Sequence, residues 1–176
     1  MHITKLKKFY FINKLNLKNL NKLSRNVSII YRKYSRNIDE KEIIKIKKIC
    51  KKQKREFFIS NQIKLAIKLS LDGVYLPSFN KSLKHNIYGL KKNFKIIGSA
   101  HNIREIREKE LQGVKVIFIA PLFEKDEKKW LGISKFNLLS NRTNQKLVAL
   151  GGISKQNLKK LHLLKIFGFA GISYFE

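Results

Sequence analysis

One cysteine, two prolines and twelve acidic residues among 176 positions leave several protein classes without their raw material. Cys50 stands alone, so the chain can form neither an internal disulfide nor a multi-cysteine metal site. That lack of cysteine pairs fits a reducing cytoplasm. All nine glycines lie at or after Gly73, so no G-x-G-x-x-G turn can follow a first strand, which argues against a dinucleotide-binding fold. No stretch approaches the roughly 20 apolar residues of a membrane span. The apolar run from Phe9 to Ile12 is too short for a signal-peptide core. The chain therefore reads as soluble, unexported and cytoplasmic. Gly/Ser-rich tracts are missing, and the only prolines, Pro77 and Pro121, fall just past candidate strands. With no linker, a single domain over residues 1–176 is expected. No Ser-His-Asp set, paired-carboxylate site or zinc spacing appears, and His2, His85 and His162 have no companions that suggest a metal.

What abounds is lysine. Lys and Arg number 39 against 12 acidic residues, a formal charge of +27. Such a field attracts nucleic acid, anionic lipid or phosphorylated metabolites. The basic residues are spread along the whole length, however, in a chain also rich in Ile and Asn. That pattern reads foremost as compositional drift, with lysines on solvated helix faces. Neither an aromatic stacking motif nor a recognised module speaks for nucleic acid as the partner. Hydrophobic residues make up 43%, enough to bury a sizeable core.

Short apolar runs alternate with amphipathic stretches. The runs are Phe9–Asn13, Val27–Tyr31, Glu56–Ser60, Gly73–Leu76, Lys95–Ser99, Val114–Ile119, Leu147–Leu150 and Phe169–Tyr174. Most are continuously apolar, as parallel strands buried on both faces require. Between them, Asp39 caps a helix that carries Ile43, Ile46 and Cys50 on one face, with Glu42 three residues after the cap. Asn102 with Glu105 caps another, with Ile103, Ile106 and Leu111 turned inward, and Ser154 opens a third through Leu158, Leu161 and Leu164. Eight such units favour a closed parallel barrel over an open sheet, because closure removes the edges. The expected class is α/β, a small (β/α)₈ TIM barrel.

In such a barrel the informative positions follow the strand ends. Leu150-Gly151-Gly152-Ile153-Ser154 follows the seventh run and suits a phosphate oxyanion, through exposed amides and a helix start. A tight turn without a ligand explains the same residues. His101 follows the fifth run and can serve as acid, base or donor, although a lone histidine near a strand end is more often structural. Arg32 follows the second and can fork onto a phosphate. Asn61 ends the third run and Asn80 lies past the fourth. The charged loop from Ala120 to Trp130 is long enough to cover a cavity, and Lys128 or Lys129 can swing from it onto a bound phosphate, with a plain solvated loop the equal alternative.

Five segments in order, LDGVYLPS, IIGSAHNIREI, VIFIAPLFEKDEKKWLG, LVALGGIS and GFAGIS, resemble thiamine phosphate synthase and TenI proteins. The likeness is firm from Ser60 to Ser173 and weaker before. It implies a (β/α)₈ barrel that binds thiazole phosphate, here lacking the family's final helix. Synthase members join that compound to a pyrimidine diphosphate and release pyrophosphate with Mg²⁺; TenI members include a thiazole tautomerase. By this resemblance Gly151, Gly152, Ile172 and Ser173 contact the thiazole phosphate, and Arg32 faces the diphosphate. Ser99 and His101 match an S-x-H segment, and Lys128 matches a loop lysine. His101 and Lys128 are thus the catalytic candidates, with Arg32, Asn61, Ser99, Gly151, Gly152, Ile172 and Ser173 as the substrate-binding set. The resemblance also implies Mg²⁺, yet the two positions expected to hold it as aspartates read Asn61 and Asn80, so no metal ligand is assigned. Pro121 stands where the tautomerase has its histidine, and FEKDEKKW looks more like TenI than a synthase. The reading is an enzyme of thiamine biosynthesis, with thiazole phosphate or thiamine phosphate as ligand and a homodimer compatible. The alternatives are a non-catalytic or regulatory phosphate-binding barrel and, last, a basic nucleic-acid binder.

Overall fold

The computed structural model describes residues 5–34, 38–124 and 130–176. Eight strands follow one another around a closed barrel: β1 Lys7–Ile12, β2 Val27–Tyr31, β3 Phe57–Ser60, β4 Gly73–Leu76, β5 Lys95–Ala100, β6 Val116–Ile119, β7 Lys146–Leu150 and β8 Gly168–Gly171. Each pairs in parallel with its sequence neighbours, and β8 closes on β1 with Lys7 opposite Gly168 and Tyr10 opposite Gly171. This is the α/β barrel that the alternating pattern implies. Helices α1 Leu17–Lys22, α2 Glu40–Lys52, α3 Ile63–Lys68, α4 Ile103–Leu111 and α5 Gly132–Ser140 follow β1, β2, β3, β5 and β6. Single 3₁₀ segments, Lys84–Ile87 and Leu158–Leu163, replace helices after β4 and β7. Short connections of this kind explain how about 20 residues per unit suffice for a barrel.

The strands are apolar on both faces because each face meets a different core. One set of side chains packs between sheet and helices. The other fills the lumen with Phe9, Phe11, Ile30, Phe58, Tyr75, Ile97, Phe118, Val148 and Ala170. Phe118 lies at its centre, edge-on to Phe9 at 4.9 Å and to Tyr75 at 5.4 Å. Edge-to-face rings hold one another through quadrupole attraction as well as burial. The lumen is thus plugged in its middle and open toward both mouths.

Local readings of the helices need three corrections. Asp39 caps α2, accepting from Lys41 N at 2.8 Å, but Glu42 turns away to accept from Leu15 N at 2.7 Å and Tyr31 Oη at 2.6 Å. On α4, Ile106 is buried as expected, but Ile103 and Leu111 face solvent and Lys109 is completely buried. Its ammonium finds oxygen partners beneath the β4 loop, which no apolar periodicity reveals. Ser154 caps no helix; its N–H donates to Asn157 Oδ1 at 2.9 Å, and Asn157 precedes the 3₁₀ segment.

After β8 the chain turns at residues 172–175. The residues after β8 cover the strand themselves. Tyr174 packs edge-on to Phe169 at 4.9 Å, and Phe175 lies 5.0 Å from Tyr10. Phe169 is thereby fully buried without a helix over it. No helix among the described residues is long and apolar enough to cross a membrane.

Candidate functional site

The C-terminal ends of the strands surround a cavity of about 320 Å³. Phe11 and Tyr75, the upper rings of the lumen, form its floor. Burial raises the Tyr75 phenol above its ordinary value, with a hydrogen bond to Ser99 opposing, so it stays a neutral hydroxyl. Ser99 also accepts from Ser78 N at 3.1 Å and so fixes the loop after β4.

One wall is the turn after β7. Gly151 and Gly152 have φ of +94° and +67°, a region that L side chains enter at a cost. A Cβ on Gly152 would lie 2.6 Å from Phe123 O, and one on Gly151 2.8 Å from Pro121 Cα. The glycines are needed because the β6 loop lies directly against them. Leu122 N donates to Leu150 O at 2.8 Å, Phe123 N to Gly151 O at 3.2 Å, and Asn157 Nδ2 to Gly152 O at 2.7 Å. Three successive carbonyls are thus tied outward. The amides of Gly151, Gly152, Ile172 and Ser173 have no acceptor among the described residues, and all four residues line the cavity. Such a cluster of N–H groups suits an anion. The positive helix end expected at Ser154 is not part of it, because no α-helix starts there.

Arg32 stands on another wall, its guanidinium 4.7 Å from the Phe11 ring centre. The ring holds the cation over the floor by cation–π attraction. His101, half exposed, also lines the cavity. Its Nδ1 and backbone N each lie 2.8 Å from Glu105 Oε2, which fixes the ring. Burial pushes the Glu105 carboxyl up, but the hydrogen bonds from His101 and Asn102 outweigh it and hold the group below its usual range. At the rim, Tyr34 and Phe79 meet edge-on at 5.5 Å, both more than half exposed. This aromatic rim joins loops 45 positions apart and has no local sequence signal.

Of the expected residues, Arg32, Ser99, His101, Gly151, Gly152, Ile172 and Ser173 share this cavity. Asn61 does not line it, and Lys128 lies outside the described residues. Asn61 adopts a φ of +60° and accepts from Asn80 Nδ2 at 2.6 Å. Behind Asn80, the buried Lys109 donates to Asn80 O at 2.6 Å and to Gln112 Oε1 at 2.7 Å. Burial drives the Lys109 ammonium down to about 8. A divalent ion needs anionic or free oxygens there. The site offers instead two neutral amides, already bonded to each other and backed by a buried amine. These residues do not fit Mg²⁺.

A closed (β/α)₈ barrel with its cavity at the C-terminal mouth defines the structural class. Residues 20–175 match the family model TMP-TENI, described as thiamine monophosphate synthase. The chain belongs to this family. It is 33% identical over 142 residues to a thiamine-phosphate synthase of Prochlorococcus marinus subsp. pastoris, covering 77% of this chain and 40% of that protein. It therefore spans less than half the length of that relative. A putative thiamine-phosphate synthase 2 of Aquifex aeolicus is 28% identical over 149 residues, covering 80% of this chain and 78% of that one. In three dimensions the chain is similar to a thiamine phosphate pyrophosphorylase from Pyrococcus furiosus, with a TM-score of 0.75 and 20% identity, over 96% of this chain and 86% of the other. That likeness concerns the fold.

Proposed function

We propose that the chain binds thiazole phosphate at the C-terminal mouth of the barrel and acts in the cytoplasm as a divergent member of its family. The observation that carries this reading is the meeting, in one cavity, of amides from the turns after β7 and β8 that have no acceptor among the described residues with the Arg32 cation. The phosphate sits on the Gly151-Gly152 and Ile172-Ser173 amides. The thiazole ring rests on the Phe11 and Tyr75 floor, beneath the Tyr34–Phe79 rim. Arg32 faces a second anion, such as the diphosphate of a pyrimidine partner, and Lys128, outside the described residues, is the family-matched catalytic lysine. His101, steadied by Glu105, is the proton donor or acceptor.

Any coupling of the two halves runs through these cations rather than through Mg²⁺. A lysine ammonium is a poorer template than a metal, so turnover is slow and insensitive to chelation. The Asn61–Asn80 pair favours a second reading, a barrel that binds thiazole phosphate or thiamine phosphate without turnover. Calorimetry with thiazole phosphate, followed by assay with both substrates in EDTA and in Mg²⁺, tests both. Binding with slow, EDTA-insensitive turnover supports the first reading, and binding without turnover the second. Fast, strictly Mg²⁺-dependent turnover contradicts the site assignment, and absence of binding contradicts both.

A further inference from the structure

The barrel has a second mouth. On the N-terminal side of the strands lies a cavity of about 790 Å³, larger than the one of about 320 Å³ at the C-terminal side. Its floor is the lower layer of the lumen, Phe9, Phe58 and Ile97, and Phe94 and Phe167 line it further out. In barrels of this kind that end ordinarily serves stability. Here it is hollow, half apolar and ringed by cations. Lys7, Lys92, Lys95, Lys115 and Lys146 all line it, against one carboxylate among the described lining residues, Glu56.

Glu56 is already engaged. It takes Lys7 Nζ at 2.8 Å, Lys95 Nζ and Ser28 Oγ at 2.7 Å. Among the described residues, Lys92, Lys115 and Lys146 have no carboxylate partner. Five lysines against one glutamate leave an excess of four positive charges around a concave surface. Compositional drift explains many lysines on convex helix faces, where solvent screens them. It does not explain their convergence on one hollow with an apolar floor, where mutual repulsion is less screened. Lys146 Nζ lies 4.9 Å from the Phe167 ring centre, so the cation is held beside the apolar wall. Aromatic rings and ammonium groups thus lie side by side around the hollow.

We propose that this N-terminal cavity is a second ligand site, for a small organic polyanion that joins a flat ring system to two or more phosphates, the chemistry of a nucleoside di- or triphosphate. The ring system packs against Phe94 and Phe167, and Lys92, Lys115 and Lys146 take the phosphates. The site is independent of the reading given to the C-terminal mouth.

The test is calorimetric titration of the full chain in EDTA at about 0.15 M salt, with ATP, tripolyphosphate and adenosine as separate probes. ATP binds at one per chain, tripolyphosphate about tenfold more weakly, and adenosine below detection. The double variant K115Q/K146Q changes two exposed lysines and leaves the fold alone. It weakens ATP by at least about tenfold, the equivalent of roughly 1.4 kcal/mol. The variant R32Q, at the opposite mouth, leaves ATP binding unchanged. Wild-type ATP affinity in K115Q/K146Q overturns the proposal, as does loss of ATP binding in R32Q. Equal affinity for ATP and tripolyphosphate with several ions per chain also overturns it, since that marks a generally basic surface.

Discussion

Replacing the amide pair by the two carboxylates that a metal-binding relative would carry turns a settled contact into a conflict. In N61D/N80D the 2.6 Å hydrogen bond from Asn80 Nδ2 to Asn61 Oδ1 becomes a contact between two acceptors. Aspartate tolerates the left-handed backbone at position 61 about as well as asparagine, so the change is electrostatic. Two carboxyl groups sharing a site raise one pKa by about 1–3 units, or about 1.5–4 kcal/mol at pH 7. The lost hydrogen bond adds about 1 kcal/mol, and the neighbouring Lys109 ammonium offsets part of the sum. A net loss of about 2–4 kcal/mol is expected. A raised carboxyl pKa favours the protonated form in the fold. The penalty is therefore absent below about pH 4 and grows as pH rises from there toward the raised value. Urea unfolding of wild type and N61D/N80D in EDTA, at pH 4 and pH 7, measures it. Millimolar Mg²⁺ at pH 7 then restores stability to the variant, because two anionic oxygens now face each other, and leaves wild type unchanged. The reasoning fails if N61D/N80D matches wild type at pH 7 in EDTA, or if Mg²⁺ stabilises wild type equally.

Three further outcomes follow from the same geometry. G152A combines a left-handed backbone cost of about 1–2 kcal/mol with a Cβ 2.6 Å from Phe123 O; denaturant titration shows it at least about 2 kcal/mol less stable, whereas G89A, with nothing within 4 Å of its Cβ, stays near wild type. R32Q removes a charged donor worth about 1.5–3 kcal/mol, so calorimetry finds the pyrimidine diphosphate bound about 10–100-fold more weakly, with thiazole phosphate affinity near wild type. Lys109 holds its proton less firmly in the fold, at about 8, than the unfolded value of about 10.4. The unfolded chain thus binds more protons between these values, and wild type gains about 2–3 kcal/mol over K109M as pH rises from about 8 to 10; parallel pH titrations of both stabilities that stay level would contradict the buried ammonium.

The barrel was legible because parallel strands buried on both faces leave continuous apolar runs, as VSIIY at β2 and VIFI at β6 do. Boundaries shifted where an apolar residue is buried without a ladder. Tyr174 extends the run of β8 but belongs to the turn that seals Phe169. The diglycine turn was legible too, because only glycine meets that backbone without a clash. Its support was not: the acceptor at Asn157 outcompetes a cap at Ser154, which single-residue propensity does not rank. Lys109 read as solvated because its partners, Asn80 O and Gln112 Oε1, are found only after the β4 loop folds over α4. The same holds for the Tyr34–Phe79 rim and the lysine-ringed cavity, whose members become neighbours only when the barrel closes.

Backbone amide spectra during addition of thiazole phosphate bear most directly on the anion cradle at the C-terminal mouth. The resonances of Gly151, Gly152 and Ser173 should move together and saturate at one ligand per chain, while those of Gly89 and Gly113 stay still. Movement confined to other residues, or the same movement on adding unphosphorylated thiazole, would contradict it.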